Sequence, residues 1–124
     1  QRCLNFQGGK YDIPFGVDEA LLGGLAVGAQ GAVGSTYNYA APLFHKVIDF
    51  YNKGEMKEAQ GVMKKVVALV EVLVEFGGVA AGKAAMKLHG IDVGNPRTPV
   101  NTLTDQQKAE VMCKMGAILD LEVN

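Results

Sequence analysis

The chain has 124 residues and a formal net charge of −1, with acids and bases mixed along its length. That balance gives no electrostatic basis for binding nucleic acid or an anionic membrane. The longest apolar run, Val66 to Val74, is broken by Glu71 and falls far short of the roughly 20 residues of a membrane span.

Gln1 to Phe6 shows neither a basic start nor a long apolar run, so no signal peptide is visible and a cytoplasmic location is expected. The first residue is Gln1 rather than Met, which predicts a processed or partial chain. Cys3 and Cys113 lie near opposite ends without CxxC spacing, so two reduced thiols are expected in place of a disulfide. Tyr11 to Phe15, apolar-aromatic and bounded by Gly8-Gly9 and Gly16, predicts a short buried strand. From Asp18 to Ala29 the apolar positions Leu21, Leu22, Leu25 and Ala26 recur at helical spacing, with Asp18 as N-cap. Gly31 to Gly34 then predicts a second strand of small residues. Strand, helix and strand in so few residues form a minimal parallel β-α-β unit.

Beyond Asn38 the pattern is helical. Pro42 fits the first turn of a helix through Phe44, Val47, Ile48 and Tyr51, ending at Asn52-Lys53-Gly54. A second helix is predicted over Glu55 to about Phe76, with an apolar face of Met56, Ala59, Met63, Val66, Val70 and Leu73, broken by Gly77-Gly78. A third runs from about Ala80 to His89 and closes at Gly90. Asn95-Pro96-Arg97-Thr98-Pro99 must be an extended loop. Thr104-x-x-Gln107 is a capping box opening a last helix to about Leu121.

Two parallel strands cannot bury both faces of a sheet. The strands therefore need neighbours that this chain does not supply, and its length is about half of the roughly 250 residues of an eight-stranded β/α barrel. The fold class expected is α/β: the C-terminal part of a (β/α)8 TIM barrel. Residues 1–54 form its last two β/α units, and residues 55–124 form a helical extension of the same domain.

Each predicted strand is followed by a polar cluster, Gly16-Val17-Asp18-Glu19 and Gly34-Ser35-Thr36-Tyr37-Asn38. Asp18 and Glu19 taken alone satisfy free backbone N–H groups and the helix dipole, and Ser35 and Thr36 taken alone are turn residues. Parallel strands, however, bring both exit segments to one rim. Two carboxylates, two hydroxyls and the bare backbone of Gly16 on a shared rim suit a ligand rich in hydroxyl groups.

Gly16-Val17-Asp18-Glu19 and Gly31-Ala32-Val33-Gly34-Ser35-Thr36-Tyr37-Asn38 resemble the motifs after the seventh and eighth strands of the N-acetylneuraminate (sialic acid) lyases, within the dihydrodipicolinate synthase / N-acetylneuraminate lyase superfamily. Ala20-Leu21-Leu22, Gly28-Ala29 and the Asn95-to-Pro99 segment extend the likeness, with Asn95 where the family has a proline. The resemblance implies that Gly16, Asp18, Glu19 and Ser35 hold the hydroxylated part of a sugar acid. It further implies a class I aldolase that cleaves N-acetylneuraminate to N-acetylmannosamine and pyruvate through a Schiff base on a lysine. No cofactor beyond that lysine is implied, and the oligomer implied is a homotetramer. The family's reactive lysine and its catalytic tyrosine belong to earlier strands, so no catalytic residue is assigned within this chain, and the chain alone is expected to be inactive.

Lys83, in the small apolar setting Ala80-Ala81-Gly82-Lys83-Ala84-Ala85, could have a lowered pKa, yet it belongs to a tail helix and not to a strand end. Tyr37 follows the eighth strand and is expected to pack at the rim. Gly28-x-x-Gly31-x-x-Gly34 ends a helix and builds a strand, so it is no dinucleotide fingerprint. His45 and His89 are isolated, and no spacing marks a metal site. Two other readings remain open: a fragment of another pyruvate-dependent aldolase or dihydrodipicolinate-synthase-like enzyme, and a non-catalytic module that docks onto full-length subunits.

Overall fold

The computed structural model describes residues 1–121. Its helices are α1 (Leu21–Ala26), α2 (Tyr37–Asn52), α3 (Met56–Glu75), α4 (Val79–Ala85) and α5 (Asp105–Leu119). Single 3-10 turns occupy Phe6–Gly8, Asp18–Ala20 and Met86–His89.

The two predicted strands are a correction. Among the described residues the only β pairing is one parallel bridge between Phe15 and Ala32. Phe15 N–H donates to Gly31 O and Phe15 O accepts from Val33 N–H, both at 2.9 Å. The order and direction of the two segments are those of a β-α-β unit, but no strand forms. Pro14 lacks the N–H that would extend a ladder, Gly31 and Gly34 have no side chains to pack, and no third segment pairs on either side. The described residues of this chain thus form a helical body carrying two extended segments in β-α-β order.

α1 is short because Gly23 and Gly24 weaken its interior and Gly28, at φ 99°, ends it. Gly24 also admits Phe15: a Cβ there would overlap the Phe15 ring. α2 starts at Tyr37 and not at Pro42, and it bends at Ala40 (φ −133°). Pro42 falls just past the bend, where a new helical segment begins and its missing N–H costs least. The Tyr39 carbonyl at the bend lies 2.9 Å from His89 Nε2, which must carry the proton to meet a carbonyl.

α3 packs along α2, and α5 closes against α3 and α4. One apolar cluster joins Leu21 of α1, Phe44 and Val47 of α2, Val66 and Leu69 of α3, Ala81 of α4, and Val111 and Met115 of α5. On α3, Ala59, Met63, Val66 and Leu73 are buried as the periodicity predicts, whereas Met56 is exposed at the helix start. Gly77-Gly78 ends α3 with both φ values positive, and Gly90 closes the third helical stretch in the left-handed region. α5 opens with the full capping box: Gln107 N–H donates to Thr104 Oγ1 at 3.2 Å, and Thr104 N–H donates to Gln107 Oε1 at 2.9 Å. No helix among the described residues is long and apolar enough to cross a membrane. Cys3 and Cys113 are free and exposed.

Candidate functional site

The bridge fixes where the polar clusters lie. Phe15 and Ala32 pair in parallel, so Gly16 to Glu19 and Val33 to Thr36 leave the bridge in the same direction. Val33 is 64% exposed, so this side of the paired segments is uncovered.

Asp18 is not the cap of its own helix. Val17 and Ala20 precede the 3-10 turn and α1, and neither start has a side-chain cap. The Asp18 carboxylate instead reaches across to the start of α2. Its Oδ2 accepts from Thr36 Oγ1 at 2.5 Å and from Thr36 N–H at 3.2 Å. Thr36 is 1% exposed, and a buried hydroxyl and amide need such a partner. Gly34 lies directly beneath: a Cβ there would overlap the carboxylate.

The structure thus brings together Asp18, Gly34 and Thr36. Gly16 is exposed on the same exit segment. Ser35 is exposed and lines a cleft of about 340 Å³ shared with Asn38, Tyr39, Gly82, Lys83 and Met86. That volume lies within the range of small-ligand pockets. Glu19 is exposed and borders a different hollow, beside Met63, Lys64 and Val67 of α3. Among the described residues, the cleft beside Ser35 and the hollow beside Glu19 have no lining residue in common.

Tyr39 was not singled out from the sequence. Its hydroxyl lies close to Gly82, where an added Cβ would stand 3.3 Å away. Burial first, and then the Asp18 charge, pushes its pKa up to about 12, against a partial lowering by a hydrogen bond with Ser35. The four-residue spacing from Ser35 to Tyr39 is the signal that could have found it, since it puts both on one side of the helix start. Tyr37 is also held at about 12, by burial and then by the Asp18 charge. Its buried hydroxyl has no hydrogen-bond partner among the described residues, and its ring packs edge-on against Phe44 at 4.3 Å. Both tyrosines are neutral hydroxyls at physiological pH.

Lys83 lines the cleft, but its Nζ donates to Val93 O at 3.0 Å. No group of three His, Cys, Asp or Glu among the described residues could hold a metal ion. The arrangement can therefore accept and donate hydrogen bonds to a polar ligand.

The sequence profile of the dihydrodipicolinate synthetase family matches residues 8–118. The N-acetylneuraminate lyase of Mus musculus is 32% identical over 111 residues, which are 88% of this chain and 35% of that protein. Among solved structures, the Proteus mirabilis N-acetylneuraminate lyase is 59% identical with a TM-score of 0.92, over 94% of this chain and 40% of that one. The N-acetylneuraminate lyase of Aliivibrio salmonicida is 55% identical with a TM-score of 0.94, over 98% of this chain and 40% of that one. This chain spans about 35% of the length of the curated relative and 40% of these solved chains. The same arrangement of helices and extended segments thus occurs inside larger lyases, and the chain belongs to the dihydrodipicolinate synthetase family.

Proposed function

We propose that this chain is the sugar-binding portion of an N-acetylneuraminate lyase. Residues 1–54 would be the last two β/α units of a TIM barrel, and residues 55–124 its helical extension. The whole protein, a class I aldolase, would cleave N-acetylneuraminate to N-acetylmannosamine and pyruvate and act as a homotetramer in the cytoplasm. In this reading the reactive lysine and the catalytic tyrosine are outside this chain, and the iminium that drains electrons from the breaking C–C bond forms there.

The work of this segment is to bind and orient. Gly16 presents bare backbone, Asp18 and Glu19 accept from sugar hydroxyls, and Ser35 donates or accepts. Correct orientation of the hydroxylated arm holds the C–C bond in line with the iminium.

The observation that carries this reading is the Asp18–Thr36 contact. It ties the two exit segments into one polar unit at the end of the parallel pair, in a chain more than half identical to two solved sialic acid lyases. The test is pyruvate release from N-acetylneuraminate by a full-length lyase carrying this segment, compared with its Ser35→Ala variant. Cleavage by the parent and a loss of about tenfold or more in kcat/KM for the variant support the reading. A parent that condenses or cleaves other keto acids but leaves N-acetylneuraminate intact overturns it.

A further inference from the structure

Thr36 is fully buried, yet it spends both of its donors on one atom. Oγ1 and the backbone N–H both bind Asp18 Oδ2, from a residue 18 positions away. Two donors on a single carboxylate oxygen, both charge-assisted, hold that oxygen at the start of α2. Gly34 completes the seat, because any side chain there would occupy the space of the carboxylate. Its φ is not in the left-handed region, so the requirement for glycine at this position is one of space and not of backbone freedom. Oδ1 takes part in neither of the Thr36 bonds and is the carboxylate atom closest to the place a Gly34 Cβ would take.

We propose that Thr36 is a positioning residue: it holds the Asp18 carboxylate in its seat on Gly34, so that the two exit segments keep one relative placement and the acid keeps the orientation in which it meets the sugar acid. This rests on the sugar-binding reading given above. It adds that the acid's orientation is set by a neighbour that never touches the ligand. A threonine is suited to the task because its hydroxyl and amide converge at the helix start, while its methyl group fills the buried space that a serine would leave open.

The experiment uses a full-length lyase carrying this segment, with Thr36→Val, Thr36→Ser, Gly34→Ala and Asp18→Asn, and Thr36→Val combined with Asp18→Asn. Thr36→Val keeps the shape and removes the hydroxyl donor. It is expected to lower kcat/KM for N-acetylneuraminate by about tenfold or more, while borohydride trapping of the pyruvate adduct stays at the parent level. Thr36→Ser restores the donor and is expected to recover to within about threefold. Adding Thr36→Val to Asp18→Asn is expected to cost little more in kcat/KM, since Thr36 acts on the ligand only through the carboxylate that Asp18→Asn has already removed.

Should Thr36→Val fail to fold, Gly34→Ala displaces the same carboxylate without deleting a donor, and the same selective loss is expected. Parent-level kcat/KM in Thr36→Val or in folded Gly34→Ala overturns the proposal. So does a Thr36→Ser variant as impaired as Thr36→Val with its pyruvate adduct also lost, which marks a purely structural role. A parent enzyme inactive on N-acetylneuraminate would instead overturn the functional reading itself, so the two failures are distinct.

Discussion

Replacing Asp18 by Ala strips the buried Thr36 of its acceptor and leaves an amide and a hydroxyl with no route to water. The two bonds measure 3.2 and 2.5 Å, and Thr36 is 1% exposed. A hydrogen bond to a charged group contributes about 1.5–3 kcal/mol. Asp18 is only half-buried, which sets each bond at the low end, so the expected loss is about 3 kcal/mol. For a chain of this size that lowers Tm by about 10 °C. An ordinary N-cap exchange costs about 1 kcal/mol, so the two roles of Asp18 differ by an amount that equilibrium unfolding resolves. The assay is urea and thermal unfolding of the 124-residue chain followed by helical circular dichroism, for Asp18→Ala alone and in a Thr36→Val background. In that background the cost should fall to roughly half its value in the parent, because the hydroxyl bond is already gone and only the amide bond remains to be lost. A loss under about 1 kcal/mol for Asp18→Ala, or full additivity with Thr36→Val, would refute the reasoning.

Tyr37 and Tyr39 keep their protons up to about pH 12, where the unfolded chain releases them near 10. Their contribution to stability is therefore fully present below about pH 10 and is lost as pH rises toward about 12. Tyrosinate absorbance recorded alongside circular dichroism checks this, and ionisation of both rings near 10 in the folded chain would contradict it. Thr104→Ala removes one arm of the capping box and should cost about 1 kcal/mol of stability by urea unfolding, with no effect on ligand binding. The isolated chain should form no borohydride-reducible adduct with pyruvate, read by mass spectrometry. An adduct on Lys83 would mean that its bond to Val93 O is broken in solution.

The sequence shows most clearly those features whose causes lie within a few residues. The Thr104–Gln107 capping box, the glycine break at Gly77-Gly78 and the closure at Gly90 depend on neighbouring atoms alone, and each is where the pattern places it. The extended segments are a different case. Their pairing in parallel is legible from the β-α-β spacing, but ladder length depends on partners outside the segment, so only the Phe15–Ala32 bridge forms.

α2 starts earlier than Pro42 predicts, for a related reason. Pro42 is a strong local signal, yet the helix opens at Tyr37 because a carboxylate 18 residues earlier satisfies the Thr36 amide. The same bond reassigns Asp18 from capping its own helix to seating the next one. Spacing alone could not show that, since Asp18 fits either role by residue type. Tyr39 is not legible in the sequence because an aromatic ring one turn into a helix looks like core, and only its contact with Gly82 marks the hydroxyl.

If, as proposed, this segment grips the hydroxylated arm of a sialic acid while the bond-breaking chemistry is done elsewhere in the enzyme, Glu19→Gln should expose it. Glu19 is exposed, so the exchange removes one charge, opens no cavity and leaves the Asp18–Thr36 bond intact. In a full-length lyase carrying this segment, kcat/KM for N-acetylneuraminate should fall by about tenfold or more, while the pyruvate Schiff base is trapped by borohydride as efficiently as in the parent. Equal catalytic efficiency in Glu19→Gln and parent would contradict the account and leave Glu19 as an ordinary first-turn acid.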